Sequence, residues 1–210
     1  MSSTGAEAAD ERLATDPVVI GGCGANLASL AFALERLGFV APVTEDPERV
    51  LRASHVILPG VGAARDAMER LERTGMAEIV PHLTRPVLGI CLGMQLLFEA
   101  SEEDDAECLG VIPATVRRLP RRDDLPVPHM GWNELALRRQ SPLLDGVADG
   151  GYAYFVHSYA APVGDYTCAV ADYGGEFSAV VEQANFFGAQ FHPERSSRLG
   201  ARLLQNFLSL

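Results

Sequence analysis

The 210-residue sequence is poor in cysteine and tryptophan, with four and one respectively, and its basic residues are outnumbered 28 to 17 by acidic ones. Each scarcity excludes something. The cysteines (Cys23, Cys91, Cys108, Cys168) show no CxxC pair and no nearby His at metal-ligand spacing, so neither a zinc site nor any other metal is expected. A disulfide framework is equally unexpected in an acidic chain of this size, which leaves each cysteine to be judged by its surroundings. A net charge of −11 argues against nucleic acid as a partner, because phosphate binding needs a basic footprint. No apolar run approaches the ~20 residues that span a bilayer, so no membrane association is expected. Residues 1–16 lack a basic segment followed by an apolar one and read as an acidic, disordered extension rather than a secretory signal; a cytoplasmic location follows.

What is present is ordinary globular composition, 48% hydrophobic and 21% charged, with alternating strand and helix patterns. Short apolar runs at 18–20, 39–43, 56–58 and 87–90 read as strands. Between them, helical spacing of apolar residues predicts helices over 27–37, 64–72 and 77–82. Asp46-Pro47 combines an N-cap with proline at the first helical position and starts a short helix. A further helix is expected from the Cys91 turn through Phe98. The second half is richer in strands (110–119, 132–137, 152–159, 167–172, 177–182, 186–191) and closes with a helix over 197–208. The pattern predicts one α/β domain over 17–210. Its open, mostly parallel sheet is flanked by helices and carries an antiparallel extension.

Two motifs carry chemistry. Gly89-Ile90-Cys91-Leu92-Gly93 places a cysteine at a strand-to-helix junction between glycines at −2 and +2. Alone, such a cysteine reads as a small buried hydrophobe. The glycines suit a strained elbow with its apex side chain at a helix N-terminus, where the dipole and free N–H groups favour a thiolate. The Leu92 N–H would then face a developing oxyanion. His192-Pro193-Glu194 supplies a base and an orienting carboxylate: residues two apart in an extended segment share a side, and Pro193 disfavours helix at His192. His157 is a rival base, but mid-strand and without a nearby carboxylate it reads as a structural histidine or part of the site wall.

Gly89-Ile90-Cys91-Leu92-Gly93-Met94-Gln95 together with His192-Pro193-Glu194 resembles the class I (triad) glutamine amidotransferase family, whose core is flavodoxin-like. Pro59-Gly60-Val61-Gly62, Pro128-His129-Met130-Gly131-Trp132-Asn133 and Tyr154-Phe155-Val156-His157-Ser158-Tyr159 narrow the resemblance to the glutaminase subunits of imidazole glycerol phosphate synthases, of histidine biosynthesis. The resemblance implies Cys91 as nucleophile, His192 as base and acid, and Glu194 as its orienter. It implies an oxyanion hole built from backbone at Val61, Gly62 and Leu92. Gly60, Gln95, Glu103, Ser158 and Tyr159 match positions that hold glutamine. It also implies a separate (β/α)8 cyclase subunit as heterodimeric partner, receiving ammonia, with no cofactor.

Some readings stay open at this level. Glu103 sits in an acidic run that would otherwise be a solvated face. Trp132 and Tyr154 read equally as interface or core, and Arg117, Arg118, Arg121 and Arg122 as a solvated loop or an interface rim. Gly22-Cys23-Gly24-Ala25-Asn26-Leu27 departs from the shorter turn common among relatives, which leaves the role of Cys23 in doubt. A glutaminase subunit of another triad amidotransferase, a γ-glutamyl hydrolase, and a non-catalytic binding module are the competing readings.

Overall fold

Apolar residues in β1 (Pro17–Ile20), β3 (His55–Gly60) and β4 (Val87–Cys91) are buried along their whole length, as strands covered on both faces must be. The computed structural model describes residues 16–22, 27–122 and 124–210. Cys23 and nearly all of the expected N-terminal extension lie outside the described residues. Asp16, also placed in that extension, exchanges hydrogen bonds with Ser54: its N–H donates to Ser54 Oγ at 2.8 Å and its carbonyl accepts from Ser54 N at 3.1 Å.

The expected architecture is present. The chain continues from β4 through β5 (Phe98–Ser101), β6 (Ala106–Glu107), β7 (Ile112–Arg118), β8 (His129–Glu134) and β9 (Ala136–Leu137). It then forms β10 (Tyr152–His157), β11 (Tyr159–Ala160), β12 (Thr167–Asp172), β13 (Glu176–Gln183) and β14 (Phe186–Ala189). With β2 (Val43–Thr44), the central sheet has the order β2-β1-β3-β4-β14-β13-β12-β9. The first five strands of that order are parallel and the remaining three join antiparallel. Two further sheets, β11-β7-β5-β6 and the ribbon β10-β8, were not anticipated from sequence.

Period-two alternation divides the sheet into two cores. Val18, Ile20, Val56, Leu58 and Val87 face one side, where α2 (Pro47–Arg52), α3 (Ala64–Arg73), α4 (Met76–Ile79) and the four-stranded sheet pack. Val19, Ile57, Leu88 and Ile90 face the other, under α1 (Leu27–Arg36), α6 (Ser197–Phe207) and Phe155 of the ribbon. Asp46 caps α2 as expected, accepting from Glu48 N at 3.0 Å. Among the described residues no helix is long and apolar enough to cross a membrane.

Two expectations need correction. The strand expected over 39–43 shrinks to Val43–Thr44, because β2 is an edge strand paired over only two residues with β1. The helix after Cys91 is one turn, α5 (Leu92–Gln95), and Phe98 belongs to a strand. Pairing of β5 with β7, which buries Leu96, Leu97 and Phe98 completely, overrides the helical propensity of this stretch. A single turn has little macrodipole, so the electrostatic help expected for Cys91 from a long helix is reduced to that of local N–H groups.

The seat of α5 is unusually tight. A Cβ on Gly93 would lie 1.8 Å from the Leu58 carbonyl oxygen, and one on Gly89 2.6 Å from Gly93 O. Gly93→Ala is therefore expected to destabilise the protein by at least ~3 kcal/mol or to prevent soluble folding, since backbone cannot yield as a side chain can. Chemical denaturation showing a loss within a few tenths of a kcal/mol of wild type would refute this.

Candidate active site

The junction of β4 and α5 is an elbow. Cys91 has φ 54 and ψ −113, a region costly for a residue with a Cβ, and ends β4 opposite Gly60 of β3. The glycines at 89 and 93 let the turn fold back onto the sheet. The result stands Cys91 at the strand tip beside the first N–H of α5, that of Leu92, which has no acceptor within the helix. Cys91 is 7% exposed, at the floor of a cleft of about 280 Å³. Burial pushes the Cys108 and Cys168 thiols up to about 11, which keeps both protonated near neutral pH.

His192 and Glu194 meet as expected, with Nδ1 to Oε1 at 2.9 Å, but not by the expected route. His192 is extended, as Pro193 dictates, whereas Pro193–Arg195 forms a single 3-10 turn. The turn, not a continuous strand, swings the carboxylate back beneath the ring. Ser196, completely buried, fixes it. Its hydroxyl donates to His192 O at 2.7 Å and accepts from Tyr154 N at 3.0 Å, while His192 N donates to Tyr154 O at 3.0 Å. Burial disfavours a charged ring, yet attraction to the Cys91 sulfur as an anion and to the Glu194 carboxylate outweighs it and holds His192 up at about 10. With Nδ1 committed to Glu194, Nε2 is the nitrogen left for Cys91, and it is buried without a hydrogen bond among the described residues.

Val61, Gly62, Leu92, Gln95, Glu103, Ser158 and Tyr159 line the same cleft with Cys91 and His192, as do His157 and Pro128. Gly62 has φ +102, a left-handed conformation that glycine permits at the proposed oxyanion loop. Gly60 instead lines an adjoining cavity of about 130 Å³ with Leu30, Pro59 and Arg195. Glu103 has one oxygen committed: Oε2 accepts the otherwise uncapped N–H of Ala64 at the start of α3, at 2.9 Å. Its carboxyl is raised above the usual range, chiefly by burial.

Trp132 and Tyr154 stand outside the cleft on the two strands of the β8–β10 ribbon. Trp132 is 53% exposed and edge-on to Tyr154, with centroids 6.0 Å apart, and Arg195 covers the Tyr154 ring. Of the two readings left open for Trp132, core is excluded. Arg117, Arg118, Arg121 and Arg122 are all exposed, and Arg122 pairs with Asp124 at 3.1 Å. No group of three or more potential metal ligands occurs among the described residues. Larger concave surface exists beside Arg138, Arg139 and Asn206, but it lies apart from the Cys91–His192 pair.

The family model for glutamine amidotransferase class-I matches residues 26–210. The chain belongs to the class-I glutamine amidotransferase family. Among similar proteins, the imidazole glycerol phosphate synthase subunit HisH of Vibrio cholerae is 50% identical over 195 residues, covering 90% of this chain and 95% of that protein. The subunit of the same name from Xanthomonas euvesicatoria is 54% identical over 196 residues, covering 93% and 98%. Solved structures share the amidotransferase fold at low identity. A glutamine amidotransferase superposes with TM-score 0.70 at 19% identity, covering 92% of this chain and 98% of that one. The glutaminase domain of a Trypanosoma brucei CTPS with bound acivicin gives 0.66 at 16%, covering 93% of each chain.

Sequence reasoning missed three buried polar residues around the Cys91–His192 pair. Gln190 and Ser196 carry no motif of their own, and His129 lay within a recognised stretch without an assigned task. Gln190 is fully buried, 2.9 Å from Gln95 and 3.9 Å from Cys91 Sγ. His129 is 3.0 Å from His157, and burial lowers these rings to about 4 and about 3. Polar residues amid an apolar strand end, as in Gly188-Ala189-Gln190-Phe191, were the available signal.

The His192 shift has a testable sign. Folding raises this group from 6.5 to about 10, so its stabilising contribution is complete below pH 6.5 and is lost as pH rises toward 10. The difference in unfolding free energy between wild type and His192→Gln should shrink across that window in urea titrations. Parallel pH profiles for the two proteins would refute the paired imidazolium.

Proposed function

We propose that this enzyme is the glutaminase subunit of an imidazole glycerol phosphate synthase, acting in histidine biosynthesis. It hydrolyses L-glutamine and delivers the ammonia to a separate (β/α)8 cyclase subunit. The observation that carries the reading is the joint one: 50–54% identity to HisH subunits over at least 90% of the chain, with Cys91 and His192 lining one cleft and Glu194 bonded to the far nitrogen of His192.

Residues 17–210 act as one amidotransferase domain, and Cys91, His192 and Glu194 form its triad. Glu194 holds the His192 Nδ1 proton, so Nε2 takes the proton of the Cys91 thiol and returns it later. The sulfur attacks the glutamine carboxamide carbon, and the carbonyl electrons move to oxygen. Backbone N–H groups of Leu92 and of the Val61-Gly62 segment hold that oxyanion, a contribution of ~3 kcal/mol per donor. Collapse expels ammonia protonated by His192 and leaves a γ-glutamyl thioester on Cys91. Water, deprotonated by His192, then attacks the thioester, and the sulfur departs with release of glutamate. Gln95, Glu103, Ser158 and Tyr159 hold the glutamine, with Gly60 supporting the loop from behind. Acyl transfer of this kind needs no metal or cofactor. A reactive thiol is best kept in the reducing cytoplasm.

The cyclase seats on the ribbon that exposes Trp132, Met130 and Tyr152, with Tyr154 beside them. An exposed aromatic cluster next to an arginine is the composition of an interface anchor. In the heterodimer, ammonia reacts with the ribulosyl-aminoimidazole nucleotide on the cyclase and yields imidazole glycerol phosphate and aminoimidazole carboxamide ribotide. Gly62, with φ +102 and open space where a Cβ would stand, gives the oxyanion loop freedom to complete its hole when the partner holds substrate.

Cys91→Ala should abolish glutamine-dependent synthesis by the heterodimer while ammonia-dependent synthesis persists; loss of both in steady-state assays would overturn the division of labour. Trp132→Ala should weaken cyclase binding by ~2 kcal/mol, roughly thirtyfold in Kd, in a calorimetric titration. An unchanged Kd would move the interface elsewhere.

A further inference from the structure

Behind Cys91 lies a chain of buried amides and imidazoles that the triad does not use. Gln95 Nε2 is 2.8 Å from the Tyr159 carbonyl oxygen and 2.9 Å from Gln190 Oε1. A main-chain carbonyl can only accept, so the Gln95 atom facing it is the NH2 group, and both its hydrogens are then spent. Gln190 must in turn present its oxygen to Gln95. That leaves the Gln190 NH2 group against Cys91 Sγ, at 3.9 Å. Reversing Gln190 would set two NH2 groups face to face and a carbonyl oxygen against the sulfur.

The node of this chain is fixed from a second side. Tyr159 O also accepts from His157 Nδ1 at 2.8 Å, which makes His157 Nε2 an acceptor for His129 Nδ1–H at 3.0 Å. Asn133 Nδ2 then donates to His129 Nε2 at 3.4 Å and to Asp172 O at 2.8 Å. Stacking of His129 on Phe155 and Tyr173 holds its ring plane. Donors and acceptors thus run in one consistent sense from the ribbon strand β8 to Tyr159. Gln95 carries the constraint onward to the sulfur.

Sγ also lies 3.8 Å from Val156 O. This carbonyl can accept from the neutral thiol but repels the ionised sulfur. Once His192 has the proton, the Gln190 N–H gains from the charge on sulfur where the Val156 carbonyl loses. We infer that Gln190 is a positioning residue of glutamine hydrolysis, aimed by Gln95 and Tyr159 so that its N–H holds the ionised Cys91 sulfur in line for attack. The inference rests on Cys91 being the nucleophile.

The test uses the full chain, alone and with the cyclase subunit. Gln190→Glu preserves shape and the acceptor facing Gln95 but replaces the N–H by an oxygen. Gln190→Met preserves volume alone. Alkylation of Cys91 by iodoacetamide near neutral pH should slow about tenfold or more in both, the low end of what a hydrogen bond to a charged group contributes. For Gln190→Glu, kcat should fall by a similar factor while the KM for glutamine stays within about threefold and cyclase affinity is unchanged. A folded Gln190→Glu protein with wild-type alkylation and kcat overturns the inference. If neither variant folds, the unsubstituted chain decides by NMR. Alkylating Cys91 should shift the Gln190 carboxamide protons far more than those of exposed Gln205, and equal shifts overturn the inference. Cys91→Ala separates the two levels: retained glutaminase activity sinks the nucleophile assignment, whereas its loss beside a wild-type-like Gln190→Glu sinks only the role of Gln190.

Discussion

The positive φ of Cys91 is the constraint on which the rest depends. A cysteine in this conformation stores on the order of 1–3 kcal/mol and persists only where its surroundings leave no alternative. Here they are two parallel strands, β3 and β4, buried on both faces, and a one-turn helix whose Gly93 lies directly on the Leu58 carbonyl. If that turn relaxed, the sulfur would sink toward the sheet. The Leu92 N–H would also no longer point into the cleft. The two hydrophobic cores on either side of the sheet therefore do more than stabilise the fold. They hold one residue in a backbone state it would not otherwise adopt.

Burial acts on three neighbouring histidines with opposite results. Desolvation disfavours the charged ring in each case, and in His129 and His157 it prevails. In His192 it is outweighed because the ring lies between Cys91 and Glu194, which both gain from its charge. His157 is close enough to feel repulsion from His192. Keeping His157 and His129 neutral, each bonded to a neighbour, leaves the cleft with a single imidazolium. In the proposed mechanism, that leaves His192 without a competitor for the proton.

The legible parts of this structure were those encoded locally. Alternating apolar runs exposed the parallel core, and glycines flanking Cys91 exposed the elbow, since both patterns span fewer than about ten residues. The His192–Glu194 contact was legible in spacing although its geometry was not: a 3-10 turn makes it, where an extended segment had been expected. The helix after Cys91 was overestimated because pairing of Phe98–Ser101 with a strand farther along the chain decides where it stops. Gln190 and Ser196 escaped for a related reason. Their partners, Gln95 and Tyr154, lie 95 and 42 residues away, and no short pattern records a contact at that separation.

The brevity of α5 limits what the β4–α5 elbow can offer to negative charge in the cleft. A helix of several turns would supply a diffuse positive end, tolerant of small displacements. One turn supplies discrete N–H groups, whose value falls steeply with distance and angle. Such a site depends on position, and its surroundings are built accordingly. Ser196 ties the His192 loop to Tyr154 by hydrogen bonds of 2.7 and 3.0 Å, and the Tyr154 carbonyl accepts a third from His192 N–H. Tyr154 also lies in register with Trp132 across the ribbon. The backbone that carries the exposed aromatics is thus the same backbone that fixes His192. Any displacement of the ribbon as a rigid pair of strands must move His192 with it or break those bonds.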